Sequence, residues 1–145
     1  MREILFRGKR KTDGKWIQGM FLHLNLGRDF ICDGTVWIGT LQPCKEEVVT
    51  ETVGQFTGYT DVNGTKIFEG DVFQLEDDII GVVDYNHGCF FLTEYGMRGA
   101  WTESGYDEYG GGWGVIDHEP MHFWHINKLE IIGNIYDNPE FLEVR

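Results

Sequence analysis

The sequence predicts a mainly β fold with at most one or two short helical turns. Apolar residues recur in short runs bounded by turn residues, 20 of the 145 residues are glycine, and 14% of the chain is aromatic. Glycine at about twice its ordinary frequency implies many turns, and aromatic residues favour strands. The length predicts a single domain over 1–145. Within it, we expect a β-meander over 1–50 and a barrel-like region over 51–145, with an inserted Gly-rich loop at 94–125.

The first half of the chain is predicted to be a β-hairpin followed by a meander. Strands are expected over 4–6, 16–24, 30–32 and 36–41, with turns at 12–14, 25–27 and 33–34. Pro43 should end the last of these strands because it has no N–H group to donate to a ladder. Residues 45–47 are then a short charged connector, and a long strand begins at Val48 and Val49.

The middle of the chain, VGQFTGYTDVNGTKIFEGDV at 53–72, predicts a second hairpin. Asn63 and Gly64 suit the positive-φ positions of a two-residue hairpin loop. Apolar residues flank that loop on both sides, so each arm can give a sheet one buried face. A further bend is expected at Gly70.

The second half predicts a small SH3-like barrel. Short strands are expected over 72–75, 79–85 and 89–92, with an acidic turn at 76–78 and another turn at 86–88, and a final strand covers 129–136. Three short strands joined by tight turns are typical of such barrels. Pro120 suits the first turn of a helix, which predicts one helical turn within 117–125.

The charge is large and uneven. The net charge is −12, which argues against a generic binder of phosphate backbones. Residues 1–15 nevertheless contain six basic and two acidic residues, a net charge of +4, and residues 16–145 carry −16. The basic hairpin at 7–15 could therefore dock on the acidic remainder of the chain or contact nucleic acid, and the sequence leaves both alternatives open.

The cysteines and the hydropathy pattern predict a cytoplasmic protein. Cys32, Cys44 and Cys89 are an odd number without a CxxC pair, which predicts reduced and mostly buried thiols. One disulfide remains an alternative. No apolar run approaches 18 residues and no signal peptide is evident, so we expect neither a membrane span nor membrane association.

One cluster could bind a metal ion. The segment DHEPMHFWH at 117–125 contains His118, His122 and His125. Imidazoles three and four positions apart on one helix face can converge on zinc. Pro120 interrupts the first half of that spacing, and the alternative is that these histidines are exposed or locally hydrogen-bonded. We expect no cofactor and no catalytic residue, since the chain has no Walker A, GxSxG or dinucleotide-binding motif.

The Gly-rich loop contains aromatic side chains that could contact a protein partner. Tyrosine and tryptophan bring a large rigid surface with few torsions. The alternative is that they cover the molecule's own core. Base stacking is disfavoured because Arg98 is the only basic residue among them. The candidate binding residues are Trp101, Tyr106, Tyr109 and Trp113.

Three blocks of sequence carry a resemblance to a known family. They are REILFRGKR at 2–10, the 53–72 segment and IIGNIYDNPEFL at 131–142. Together they resemble the YopX family of phage and prophage proteins. The resemblance implies a mainly β fold, a phage or prophage origin and a bacterial cytoplasmic location. It implies no activity, because the family has none assigned, and it supplies no catalytic residue.

These observations favour a non-enzymatic binding protein. We expect it to act on a host or phage protein, and the sequence leaves open whether it forms a homo-oligomer. Two alternatives from other classes remain: a small metal-dependent enzyme that uses the 117–125 cluster, and a nucleic-acid binder that uses the basic N-terminal hairpin.

Overall fold

A computed structural model describes residues 2–36, 43–75, 79–86, 88–98, 101–102, 105–106, 112–121 and 128–142. For 36, 43–44, 95–98, 101–102, 105–106, 112–119 and 142 it describes the backbone alone. The described residues form antiparallel strands and short 3₁₀ turns, so the mainly β prediction is confirmed. The chain divides into two compact units, Met1–Gly58 and Tyr59–Arg145. The single-domain assignment stays a prediction.

The first unit is an antiparallel sheet. Its neighbouring strands follow the order β4-β3-β2-β1-β5. Hydrogen bonds also join β4 to the end of β1, since the Lys11 N–H donates to the Glu47 carbonyl and the Val49 N–H donates to the Lys9 carbonyl. The sheet therefore curls on itself. The elements are β1 (Phe6–Lys9), β2 (Trp16–Leu24), β3 (Arg28–Val36), β4 (Pro43–Val48), a 3₁₀ turn (Thr50–Thr52) and β5 (Gly54–Thr60).

The core of the first unit lies inside that curl. Ile17, Ile31 and Val48 are buried together, and half-buried Phe6, Phe21 and Val53 pack against them. These residues alternate along their strands with residues of the other face, as a sheet with one buried face requires.

Three predictions for the first unit are wrong. The long strand expected to begin at Val48 and Val49 is absent, because β4 ends at Val48 and a 3₁₀ turn follows at Thr50–Thr52. A turn was expected at Asp33 and Gly34, but β3 continues through them, with an irregularity in the β3–β4 register between Cys32 and Val36. Gly34 has φ of 89° there, so the glycine accommodates a bulge and not a hairpin turn. Residues 45–47 were expected to be a connector and instead lie in β4, which Pro43 begins.

The second unit contains a five-stranded antiparallel sheet in the order β12-β9-β8-β7-β13. Ile67, Phe73, Val83, Leu92 and Leu129 are buried in its core. No pairing of β12 with β13 occurs among the described residues, and the SH3-like barrel stays a prediction. The elements are β6 (Lys66–Phe68), β7 (Asp71–Leu75), β8 (Ile79–Asn86), β9 (Cys89–Arg98), β10 (Trp101–Thr102), β11 (Gly105–Tyr106), β12 (Gly112–Pro120), β13 (Leu129–Asn134) and a 3₁₀ turn (Pro139–Leu142).

The predicted hairpin between β5 and β6 is present, with a different turn. The Asp61 N–H donates to the Thr65 carbonyl and the Gly64 N–H donates to the Asp61 carbonyl. Val62 and Asn63 are therefore the central residues of the turn. Gly64 follows them with φ of 81°, the left-handed position that glycine occupies in a three-residue hairpin loop.

The glycine-rich segment is more regular than predicted. Strand β9 extends to Arg98 and pairs with β12, which begins at Gly112. The helical turn was expected to begin at Pro120, but this residue ends β12, where it pairs with Phe91. The rest of that prediction falls in 122–127, outside the described residues.

The family-like block at the end of the chain forms a hydrogen-bonded turn. The Asn134 side-chain carbonyl accepts the N–H groups of Tyr136 at 3.0 Å and Asp137 at 2.9 Å. The Ile135 N–H donates to the carbonyl of Gly70, which lies in the family-like block at 53–72. This hydrogen bond joins the two blocks, and turn geometry accounts for Asn134 and for Gly70, whose φ is 89°.

Candidate binding face of the first sheet

One face of the first sheet points away from its core and is here called the outer face. Residues that are paired in register between neighbouring strands lie on the same face of a sheet. Lys9 pairs with Trp16, and Leu22 pairs with Phe30. The register thus places one set of side chains together on this face: Arg7, Lys9, Trp16, Gln18, Met20, Leu22, Leu24, Arg28, Phe30, Cys32, Lys45 and Glu47.

Exposed aliphatic side chains occupy the middle of the outer face. Met20 is 65% exposed and Leu22 is 44% exposed, whereas Ile17 on the opposite face of the same strand is buried. A strand with one buried face ordinarily presents polar residues on the other face. The exposure of Met20 and Leu22 therefore has no explanation in the packing of the first unit.

Basic side chains cover the two aromatic rings of the outer face. Arg7 Cζ lies 4.8 Å from the centroid of the Trp16 ring, and Lys9 Nζ lies 5.4 Å from it. Each such contact contributes about 0.5–1 kcal/mol at an exposed site. The cationic groups of Arg7 and Lys9 are therefore held at the Trp16 end of strand β2.

The second aromatic ring belongs to Phe30, which is only 8% exposed. Arg28 Cζ lies 5.1 Å from its centroid and Lys45 Nζ lies 5.0 Å from it. Because Phe30 is the cross-strand partner of Leu22, these cations lie beside the aliphatic residues. The outer face thus has cations on both sides of the exposed aliphatic residues Met20 and Leu22.

Glu47 holds one of these cations in place. Arg28 Nη2 lies 2.9 Å from Oε2 of Glu47, and Arg28 Nε lies 3.2 Å from Oε1. Lys11 Nζ also donates to Oε1, at 3.0 Å. These hydrogen bonds, those from Arg28 first, lower the pKa of Glu47 to about 2. The bidentate pairing fixes the orientation of the Arg28 guanidinium.

The outer face is cationic although the chain is acidic. It carries Arg7, Lys9, Arg28 and Lys45 against the single carboxylate of Glu47, a net charge of +3. Residues 1–58 contain eight basic and seven acidic residues, whereas residues 59–145 contain four and 17. The excess of acidic over basic residues therefore lies in the sequence of the second unit.

Part of the basic cluster at the tip of the first hairpin contacts acidic groups of its own unit. Arg10 forms two hydrogen bonds with Asp13, at 2.7 and 3.1 Å. Lys11 contacts Glu47 as described above. These two cations are engaged within the first unit, and Lys15 is exposed.

The predicted aromatic binding residues fall largely outside what the structure describes. Trp101 and Tyr106 are cross-strand partners in the β10–β11 hairpin, and Trp113 lies in β12 opposite Met97. The side chains of these three residues, and all of Tyr109, lie outside the described part. The predicted partner-contacting role of these aromatic residues stays a prediction.

The predicted metal cluster is likewise untested. His118 lies in strand β12, where it pairs with Thr93, so helical spacing does not apply at that position. His122 and His125 lie outside the described residues. Among the described residues, no group of three His, Cys, Asp or Glu side chains is arranged to hold a metal ion.

The structure corrects the expected burial of the thiols. Cys89 is exposed and Cys32 is half-buried, and both are free. The Cys44 side chain is outside the described residues. The helices of the described part of the chain lack the length and apolar character needed to cross a membrane.

The outer face was not predicted from the sequence, although the sequence of strand β2 indicates it. Strand β2 reads WIQGMFLHL and has apolar residues at both odd and even positions. Such a strand is apolar on both faces. One face is explained by the core, and the other could have been identified as a candidate surface.

Comparison with known proteins places the chain in a family. A family model described as YopX protein matches residues 5–143. The chain belongs to the YopX family. No curated protein matches it. Among solved structures, the crystal structure of protein EF1440 from Enterococcus faecalis is similar over 99% of this chain and 100% of that chain, with 21% sequence identity and a TM-score of 0.46.

Proposed function

We propose that this YopX family member is a non-enzymatic binding protein of phage or prophage origin that engages a host or phage protein in the bacterial cytoplasm. The observation that supports this most is the exposure of Met20 and Leu22 beside cation-covered aromatic rings. Protein interfaces commonly combine an apolar centre with a polar rim. Methionine adapts to varied partners because its side chain is unbranched and polarisable.

The described residues favour neither of the two alternative functions. The metal-dependent enzyme depends on side chains outside the described part of the chain. For the nucleic-acid binder, Arg10 and Lys11 of the basic N-terminal hairpin are paired with Asp13 and Glu47. Stacking of single-stranded bases, in turn, requires accessible ring faces. On the outer face, Arg28 and Lys45 already cover Phe30.

The test is affinity capture of the tagged protein from bacterial lysate, compared across matched variants. The double variant Met20→Asp/Leu22→Asp places charges in the apolar centre. The control is Val62→Asp, which makes the same kind of change at a 50% exposed residue of the second unit. We expect a partner at near-equal amount with the wild type and with Val62→Asp, and its loss with the double variant.

Two results would contradict the proposal. Wild-type protein that captures no partner would argue against an interaction role. A partner that is retained by Met20→Asp/Leu22→Asp would show that the outer face is not the surface used. Self-association into a homo-oligomer is tested by light scattering on the purified protein alone, as a mass that exceeds the 16.7 kDa of one chain.

A further inference from the structure

We infer that the outer face of the first sheet binds a short, extended, acidic protein segment. Every second side chain of this segment faces the sheet, and these side chains are aliphatic in the middle of the segment and carboxylates at its ends. This inference rests on the proposed binding function and adds the chemistry of the partner. It follows from three properties of the face: its shape, its charge and the state of its aromatic rings.

The shape of the outer face is set by one row of side chains along strand β2. Trp16, Gln18, Met20, Leu22 and Leu24 alternate along β2, so neighbouring members of the row are about 6.7 Å apart and the row spans about 27 Å. An extended segment has the same two-residue repeat. A segment of about eight residues can therefore place every second side chain on this row.

The charge favours an acidic segment. Cations lie at both ends of the row. Lys9 lies over the Trp16 ring at one end, and both Arg28 and Lys45 lie over the Phe30 ring near the other end. The Arg28 side chain remains 56% exposed although it pairs with Glu47, and Lys45 is exposed. Carboxylates at the two ends of a bound segment can reach these cations, while aliphatic side chains between them on the same face of the segment cover Met20 and Leu22.

The negative net charge of the chain favours a short acidic segment over a long one. The chain carries −12, and the Debye length at physiological salt is about 8 Å. A short segment confined to the outer face experiences mainly the local charge of that face. A long polyanion extends past the face and is repelled by the remaining acidic residues.

The aromatic rings distinguish a protein segment from single-stranded nucleic acid. Base stacking requires accessible ring faces. Phe30 is almost fully buried and two cations lie against its ring. The exposed members of the row are Gln18, Met20 and Leu22, and the two aliphatic ones offer apolar contact to leucine-like side chains. The face therefore matches a protein segment better.

The experiment measures fluorescence anisotropy of a labelled peptide of about eight residues, a length set by the span of the row. Its glutamates stand near the two ends and its leucines in the middle, each separated from the next by one serine, so that glutamates and leucines share one face of the extended peptide. The comparison probes are a lysine and leucine peptide of the same length and an oligothymidylate of the same length. The test variants of the full chain are Lys45→Glu and Leu22→Asp. The control is Lys128→Glu, which reverses an exposed lysine in the second unit.

We expect the acidic peptide alone to bind, and binding should weaken as salt is raised. Lys45→Glu and Leu22→Asp should each weaken it by about tenfold, which corresponds to about 1.4 kcal/mol, and Lys128→Glu should leave it within about twofold. Thermal melting of each variant verifies that the fold is intact.

Other results would contradict the inference or change the ligand assigned to the outer face. Failure of the acidic peptide to bind, or equal binding of all three protein variants, overturns the inference. Tighter binding of the oligothymidylate that Lys45→Glu abolishes assigns the face to nucleic acid instead. If the captured partner still depends on Met20 and Leu22 while the acidic peptide fails, the interaction function stands and only the partner chemistry is wrong.

Discussion

The side-chain carboxylate of Asp61 accepts the backbone N–H of Ile131 at 2.9 Å, across 70 residues of sequence. The other oxygen of that carboxylate accepts the N–H groups of Asn63 and Thr65, each at 2.9 Å. Asp61 is only 6% exposed. One buried side chain thus organises the turn after β5 and attaches it to β13.

We therefore expect Asp61→Ala to lower the free energy of unfolding by about 2–4 kcal/mol, because it removes the acceptor of three backbone donors. Asp61→Asn should cost about half as much. Its carbonyl can keep the turn bonds, but its amide group then faces the Ile131 N–H, and two donors cannot pair.

Urea denaturation of the three proteins measures these changes. The matched control is Asp33→Ala, which removes an exposed carboxylate that accepts the N–H and the hydroxyl of the nearby Thr35. It should cost less than about 1 kcal/mol. An Asp61→Ala protein that is as stable as Asp33→Ala would contradict the structural role given to Asp61.

Gly81 allows the Phe73 ring to pack against strand β8. A Cβ atom at position 81 would lie 2.3 Å from Cζ of Phe73 and 2.5 Å from the Thr93 carbonyl oxygen. Phe73 is fully buried, so its ring cannot swing into solvent. We expect Gly81→Ala to destabilise the protein by about 3 kcal/mol through overpacking.

A double-mutant cycle with Phe73→Leu, read by chemical denaturation, tests the cause. The smaller side chain should relieve part of the clash, so the double variant should be more stable than the sum of the single effects predicts. The relief is incomplete because the Thr93 carbonyl is backbone and stays in place. Additive effects within about 0.5 kcal/mol would show that Phe73 is not the obstacle.

The ion pairs of Glu47 should make stability depend on pH in acid. Folding lowers the pKa of this carboxyl group from 4.5 to about 2, so its contribution is complete above pH 4.5 and is lost as the pH falls from there to about 2. Glu47→Gln should therefore lose less stability than the wild type over this interval. High salt should reduce the difference, since the side chains are partly exposed.

The measurement is the thermal midpoint as a function of pH for the wild type, Glu47→Gln and the control Glu46→Gln. The control removes a neighbouring carboxylate of β4 that the register places on the opposite face from Arg28. Parallel pH profiles for wild type and Glu47→Gln would show that the pairs with Arg28 and Lys11 do not contribute to folding.

Several local features were predictable from the sequence. The turns at Gly14, Gly27 and Gly88 lie where they were predicted, and each glycine has a positive φ. Such turns depend on a few adjacent residues, because glycine alone enters the left-handed region without steric cost. The alternating apolar pattern of the strands is equally local, which is why the mainly β class was predicted correctly.

Features that depend on distant strands were not predictable in this way. Asp33 and Gly34 have the composition of a turn, yet β3 continues through them because it pairs with β4 on both sides, at Cys32 and at Val36. The charged residues at 45–47 lie in a strand for the same reason, since strand formation depends on the neighbours available.

The class of fold, several turns and the resemblance to the YopX family could be predicted without a structure, because each is encoded in residues close together along the chain. The contact of Asp61 with Ile131 and the exposure of Met20 and Leu22 beside Arg28, Phe30 and Lys45 could not be predicted in this way. The reason is register: one residue of shift between strands moves every side chain to the opposite face. That register is set by pairings between strands and not by any single segment.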